Sequence, residues 1–308
     1  MTQEVSVIIC AHNPRKQYLE RTLRALQAQT LDQSRWELLL IDNASDLPLS
    51  DHWDLSWHPH ARHVVEGELG LSAARRRGMR EARCELVVFV DDDNVLDADY
   101  LSEAVKIGHD WPLLGVWGSG IIAPEFEREP AEDLKQYLFY LALRETTVPH
   151  WSNVFPCIEA TPWGAGLCLR RVVASNYCQI WDQSHIRLSD RVGRSLMSGG
   201  DMEIACVACN MGLGMGVFPV LRLTHLIPKE RVTADYLVRM AEASTTSNYL
   251  LACKWQNILP PNPFSPFGLL SVFKNIVVNR GMRRRMYLSD LRARIAALRI
   301  IAESRFQG

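Results

Sequence analysis

The sequence lacks an excess of either charge: 34 Lys and Arg stand against 35 Asp and Glu, leaving a formal net charge of −1 over 308 residues. That balance argues against a whole-chain electrostatic fit to nucleic acid and leaves room only for a local basic patch. It also lacks a membrane-length run free of interruption. Trp255 to Phe273 carries no charge, but Pro260, Pro261, Pro263 and Pro266 break it, and a helix does not run through four prolines so closely placed. No basic lead-in precedes Val5-Ser-Val-Ile-Ile-Cys-Ala11, so neither a signal peptide nor a membrane span is expected there. No second Cys-x-x-Cys accompanies Cys206-Val-Ala-Cys209, and no internal repeat is visible. Buried thiols are therefore the better reading of that pair than a zinc knuckle. The eight cysteines are scattered, several inside apolar runs, as expected of reduced thiols in a cytosolic protein. Finally, no glycine-rich fingerprint follows the first apolar run, which argues against a dinucleotide dehydrogenase and a P-loop.

What is present is the composition of an ordinary globular protein, 47% hydrophobic and 22% charged, long enough for one large or two modest domains with a real core. Short apolar, β-branched runs at 5–11, 36–42, 63–66, 85–91 and 115–122 alternate with segments of helical period. Leu19, Leu23 and Leu26 mark one helix, and 71–83 and 98–109 two more. Near-continuous apolarity suits strands buried on both faces, so the first part is read as a doubly wound α/β domain. A polar, proline-punctuated insertion follows over 124–161, with one amphipathic stretch at 131–144. A strand at 166–170, a helix at 201–210 and a strand at 217–224 suggest that the sheet resumes with mixed direction. Helices are expected at 231–251 and, strongly basic, at 284–305.

Val87-Val-Phe-Val-Asp91-Asp92-Asp93 places three carboxylates at the carboxyl end of a buried strand, where open α/β sheets bind ligands. Adjacent acids repel one another unless a cation is present, and hard oxygen ligands select Mg2+ or Mn2+. The plainer alternative is a solvated loop capping the next helix, a task for which Asp97 is better placed. The first two strands end at Ala11-His12-Asn13 and Asp42-Asn43, at the same sheet edge. Asp42 could accept the imide N–H of a pyrimidine, with backbone groups near Ala11 completing a base site, or the pair could be a simple turn. In Gly70-Leu-Ser-Ala-Ala-Arg75-Arg76-Arg77-Gly78 an arginine near a helix start could face a diphosphate, while a solvated helix face accounts for at least two of the three.

Taken in order, VSVIICAHN, Asp42, GLSAARRRG and FVDDD, then Gly164-Ala-Gly166 with Arg170, Gly199-Gly-Asp201-Met-Glu203 and Leu223-Thr-His225-Leu-Ile-Pro228, resemble the family-2 glycosyltransferases over roughly residues 4 to 250. The resemblance implies a GT-A-type, Rossmann-like mixed sheet with a helical C-terminal extension. The division it suggests is a catalytic domain at 1–250, made of a nucleotide-sugar half (1–123) and an acceptor half (124–250), followed by the tail at 251–308. By the same resemblance Ala11, Asn13 and Asp42 bind base and ribose, and Asp91, with Asp92 beside it, meets the ribose. Arg75 matches the arginine of the glycine-led helix, Asp93 and His225 hold Mn2+ or Mg2+ at the diphosphate, and Asp201 is the catalytic base. Arg76 departs from a common Asn, Gly200 from a common Glu, and His12 from a common Tyr.

The implied activity is inverting transfer of a sugar from a nucleoside-diphosphate sugar, in first expectation a UDP-sugar, to a saccharide or lipid-linked saccharide in cell-surface polysaccharide or glycan synthesis. A carboxylate can take the proton of a weakly acidic hydroxyl as the bond forms, and one base on one face implies direct displacement. The alternatives are a nucleotidyltransferase making activated sugars and a catalytically inactive sugar-nucleotide-binding protein on the same fold. Trp151 and Trp163 flank the insertion as either sugar-stacking or core residues, and His52, His58, His60 and His63 read as a surface loop. From residue 268 onward nine basic residues face two acidic ones, a charge of +7, beside Phe264, Phe267, Leu269, Leu270, Val272 and Phe273. This tail is expected either to pack on the catalytic domain or to touch an anionic membrane, placing a cytoplasmic protein at the inner membrane face.

Overall fold

The computed structural model describes residues 3–188, 190, 191, 193 and 195–305. The chain forms two compact units, one of 1–127, 142–182 and 201–227, the other of 128–141, 183–200 and 228–308.

The first unit is built on one mixed sheet. β1 (Val5–Ala11), β2 (Trp36–Asn43), β3 (Ala61–Glu66) and β4 (Leu86–Asp91) run parallel in the spatial order β3-β2-β1-β4. Every residue of β2 is buried, as its continuous apolarity requires of a strand covered on both faces. β5 (Asn94–Leu96), β6 (Leu114–Phe126), β7 (Arg144–Glu145), β8 (His150–Ser152), β9 (Cys168–Arg170) and β10 (Gly214–Ile227) complete the sheet. β9 lies antiparallel between β4 and β6, β6 is parallel to β10, and β5 closes the far edge antiparallel to β10. The mixed direction expected of the second half is thus present.

α1 (Lys16–Gln27) buries Leu19, Thr22, Leu23 and Leu26, one helical face spaced three and four apart. α2 (Leu71–Glu81) approaches β1 closely enough that a Cβ on Gly78 would lie 2.5 Å from the Ile8 side chain, so only glycine fits without movement. α3 (Tyr100–Asp110) begins later than expected. Asp97 serves it through its carbonyl, which accepts from Tyr100 N–H at 3.0 Å, while its carboxylate faces Arg222 at 3.9 Å. The aspartate run therefore does not cap α3. α4 (Arg171–Gln183), not foreseen from the sequence, buries Val173, Ala174, Tyr177, Cys178 and Trp181. α5 (Gly200–Asn210) carries Asp201 and Glu203 in its first turn.

The second unit is helical. The stretch expected to be amphipathic, 131–144, forms a 3-10 helix, Glu132–Leu141, and its last residue, Arg144, begins β7. α6 (Ala234–Gln256), capped by the Thr233 hydroxyl, packs along α8 (Gly281–Arg305), whose Ser289, Ala293, Ala297 and Ile301 form a buried stripe at four-residue spacing. Between them α7 (Pro266–Val278) uses Pro266 in its first turn and Ser265 as cap, so the last of the four prolines starts a helix rather than breaking one. No helix of the described residues is long and apolar enough to cross a membrane.

All eight cysteines are free. Cys206 and Cys209 lie on α5, and burial pushes the Cys209 thiol up to about 11, well away from thiolate chemistry. His58 differs from its surface-loop expectation: it is buried on Trp36 with ring centroids 4.0 Å apart, and desolvation pushes it down to about 4.

Candidate active site

The sheet order reverses around β1, since β2 and β3 extend to one side and β4 to the other. A crevice at such a reversal, outside the carboxyl ends of the strands, is where open α/β sheets bind ligands. Register delivers the expected residues to it: Ala11 pairs with Asp42, and Cys10 with Asp91.

Asp42 is buried and accepts from Ser45 N–H at 3.0 Å and Leu49 N–H at 2.9 Å, so it organises the loop that follows β2. Each of its oxygens retains a second lone pair. Exposed Asn13, at φ 47°, sits above this loop, its carbonyl accepting from Asp46 N–H at 2.9 Å and its amide donating to the Asp46 carboxylate at 3.1 Å. Asn43 donates to the carbonyls of Glu66 and Glu68 and accepts from Gly70 N–H at 2.8 Å. It thereby fixes the start of α2. The sequence offered Asn43 only as the second half of a turn, because its three partners lie at least 23 residues away.

Of the three consecutive arginines of α2, Arg75 is the one that is buried. Its guanidinium is buried, 3.5 Å from the Asp91 carboxylate and 5.5 Å from the Phe89 ring centroid. Arg76 joins Arg80 on Asp182 of α4, and Arg77 pairs with Glu81 at 3.2 Å. The solvated-face reading accounts for Arg77 alone, since the Arg76 side chain is 13% exposed and lies over the Trp181 ring at 5.3 Å.

Asp93 and His225, 132 positions apart, meet with His225 Nε2 3.5 Å from Asp93 Oδ2, both side chains 8% exposed. The route is β5: three residues pair Leu96, Val95 and Asn94 with Leu223, Thr224 and His225, and Leu226 N–H donates to the Asp93 carbonyl at 2.9 Å. Asn94 also donates to Asp93 Oδ1 at 3.0 Å. The intervening Asp92 is half-buried, and its carbonyl accepts from the Thr22 hydroxyl at 3.2 Å, tying the turn to α1. A carboxylate and an imidazole, nearly dry and side by side, form a donor pair compatible with a divalent cation such as Mn2+. The described residues hold no set of three His, Cys, Asp or Glu able to bind a metal.

Asp201 is half-buried at the start of α5, accepting from Met202 N–H at 2.8 Å and Gly164 N–H at 2.8 Å. Gly164 is the seam between this carboxylate and Arg75: a Cβ there would lie 2.5 Å from the Arg75 guanidinium. Beyond it, Arg144 stacks on Trp163, 3.9 Å from guanidinium carbon to ring centroid. Burial pushes Arg144 down to about 10, against the pull of the Asp201 charge. The sequence marked Arg144 only as the last residue of an amphipathic stretch; pairing of β7 with Ile122 of β6 is what directs it here. Trp151 has other company. It is 59% exposed on β8 and faces Trp111 at 6.2 Å, so the two tryptophans do not form one wall. Arg170 donates to the carbonyls of Leu114, Gly108 and Trp111, a structural clamp.

Residues 6–150 match the family model described as Glycosyl transferase family 2. A candidate glycosyltransferase of Bacillus subtilis (strain 168), EpsH, is 26% identical over 111 residues, 35% of this chain and 31% of that protein, so the match spans about a third of the curated relative's length. Among solved structures, a mannosyltransferase from Pyrobaculum calidifontis, PcManGT, in complex with GDP-Man and Mn2+, superposes with a TM-score of 0.55 at 18% identity, covering 100% of this chain and 76% of its own. S. aureus TarS, residues 1–349, superposes with a TM-score of 0.51 at 14% identity, covering 97% and 83%. Residues 6–150 thus carry the sequence pattern of the family-2 glycosyltransferases, and the chain shares the GT-A fold of these solved structures.

Proposed function

We propose that the protein transfers a sugar from a nucleoside-diphosphate sugar to a saccharide or lipid-linked saccharide, with inversion, in the synthesis of a cell-surface polysaccharide or glycan. The observation that carries this reading is the meeting, at one sheet edge, of Asp93 with His225, Arg75 with Asp91, and Asp201 across Gly164. These residues come from five segments of sequence.

In this reading Asp42, Asn13 and the backbone at Ala11 receive the base, Asp42 accepting an imide N–H with its free lone pairs. Asp91 meets the ribose with Asp92 beside it, and Arg75 faces the diphosphate. Asp93 and His225 would hold Mn2+ or Mg2+, which when bound offsets the charge that gathers on the departing diphosphate. Asp201, steadied by two backbone N–H groups, takes the proton of the acceptor hydroxyl as that oxygen bonds to the anomeric carbon and the diphosphate departs from the opposite face.

A UDP-sugar is the first donor reading, because an aspartate at the Asp42 position suits a pyrimidine imide. A GDP-sugar is the second, because PcManGT is a mannosyltransferase in complex with GDP-Man and Mn2+. The test is a thermal-shift panel of UDP- and GDP-sugars with and without Mn2+, followed by donor turnover on saccharide acceptors. A ligand at 100 times its dissociation constant stabilises by about 2.7 kcal/mol. Mn2+-dependent stabilisation by one nucleotide class, with turnover, supports the proposal. Stabilisation without hydrolysis or transfer favours an inactive binding protein, and release of pyrophosphate from a nucleoside triphosphate and a sugar phosphate favours the nucleotidyltransferase. A lipid-linked acceptor would place the enzyme in the cytoplasm at the inner face of the membrane.

A further inference from the structure

α7 turns its apolar side outward. None of its residues is buried. Gly268, Val272, Asn275 and Ile276 are half-buried and share one side of the helix. Phe267, Leu269, Leu270, Phe273, Val277 and Val278 occupy the other, between 53% and 86% exposed. A surface helix of a globular protein does the reverse, and a continuous exposed apolar face marks an interaction site.

The cations around it are sorted in a second, independent way. On α8, Arg285 pairs with Asp235, Arg292 with Glu242 at 2.6 Å, Arg294 with Asp290, and Arg299 with Glu303 at 2.8 Å. Lys274, within the apolar face, and Arg280, Arg283 and Arg284, at the corner between α7 and α8, are exposed. No ion pair to a carboxylate within 4.0 Å is formed by these four among the described residues. From Arg285 to Arg299 the basic helix is thus a neutralised support packed on α6, and the unpaired charge gathers at its first turn, beside the exposed apolar face.

Thirteen helical residues reach about 20 Å, short of the ~30 Å hydrocarbon core, so α7 can lie in a membrane surface but not cross it. A second copy of the chain would cover the same apolar face, but a two-fold contact would bring the four unpaired cations of each copy toward those of the other. An anionic lipid surface satisfies both features at once. We propose that α7 docks the protein in plane on an anionic phospholipid bilayer, with its apolar face in the interface and Lys274, Arg280, Arg283 and Arg284 on headgroup phosphates. The contact stands on this surface alone; its use, bringing the enzyme to a lipid-linked acceptor, rests on the activity proposed above.

The full-length protein is sedimented with phosphatidylcholine vesicles and with vesicles containing phosphatidylglycerol. Binding to the anionic set alone, falling steeply with salt, is expected. Phe267→Ser/Leu270→Ser/Phe273→Ser should weaken it more than about tenfold, and each of Lys274→Glu, Arg280→Glu, Arg283→Glu and Arg284→Glu by at least about fivefold. These side chains are exposed, so melting temperature and donor hydrolysis measured without vesicles should match wild type. Indifference of wild type to anionic vesicles, equal binding to neutral ones, or undiminished binding by the serine variant overturns the proposal. So does a wild-type dimer in solution that the serine variant converts to monomer. Vesicle binding by a protein without donor hydrolysis supports the contact and removes only its use.

Discussion

Two corners of the first unit hold carboxylates under different constraints. Where β1, β2 and β4 end, acids are compensated in place: Asp91 by Arg75, Asp93 by His225 and Asn94, Asp42 by two backbone N–H groups of its own loop. At the start of α5, Asp201 is steadied by neutral amides, and Arg144, whose guanidinium feels its charge, is stacked on Trp163. The first corner is built so that several like charges can stand together. The second holds one carboxylate by backbone N–H groups, and among the described residues no ion pair within 4.0 Å is formed by it, which suits a proton acceptor.

The largest effect should come from the second corner. Asp201→Asn preserves shape and removes the proton acceptor, and turnover should fall about 10^2–10^4-fold while the thermal shift given by the donor stays near wild type. Near-normal turnover would move the base elsewhere, with Glu203 the next carboxylate on α5. At the first corner, Asp93→Ala or His225→Ala should weaken Mn2+-dependent binding of the nucleoside diphosphate about 10- to 100-fold, read by calorimetry, and leave the free nucleoside unaffected. Nucleotide binding by the wild type that EDTA does not alter would remove the metal from Asp93. Between the corners, Gly164→Ala inserts a methyl 2.5 Å from the Arg75 guanidinium. Donor KM should rise about three- to tenfold, roughly 1 kcal/mol, with kcat less affected; an unchanged KM would show that Arg75 does not serve the donor. The smallest effect sharpens the contrast among the α2 arginines. Arg77→Ala, which breaks a half-exposed pair with Glu81, should leave stability within about 0.5 kcal/mol and donor affinity unmoved.

Legibility from sequence followed the range of the forces involved. β1, β2 and β4 were readable because burial on both faces demands unbroken apolarity, a local signature. α4 carries a helical pattern in Val173, Ala174, Tyr177, Cys178 and Trp181, yet it starts directly after the three-residue β9 with no loop to mark the boundary. α7 was hidden by reading Pro266 as an interruption when Ser265 and Pro266 open the helix. β5 is too short to show any periodicity, although the approach of Asp93 to His225 depends on it. In the sequence the two residues were linked only through family resemblance.

The order of strands and helices in the first half, and the delivery of Asp42, Asp91 and Asp93 to strand ends, lay in the sequence itself, because alternation of apolar runs and turns is enough to place a residue at the edge of a parallel sheet. Tertiary structure alone decided which member of each repeated set lies at the candidate site: Arg75 rather than Arg76 or Arg77, Trp163 rather than Trp151, and Arg144, which no local pattern distinguished. A side chain's direction and surroundings are set by partners that the chain brings back from 20 to more than 100 residues away, and neighbours in sequence carry no record of them.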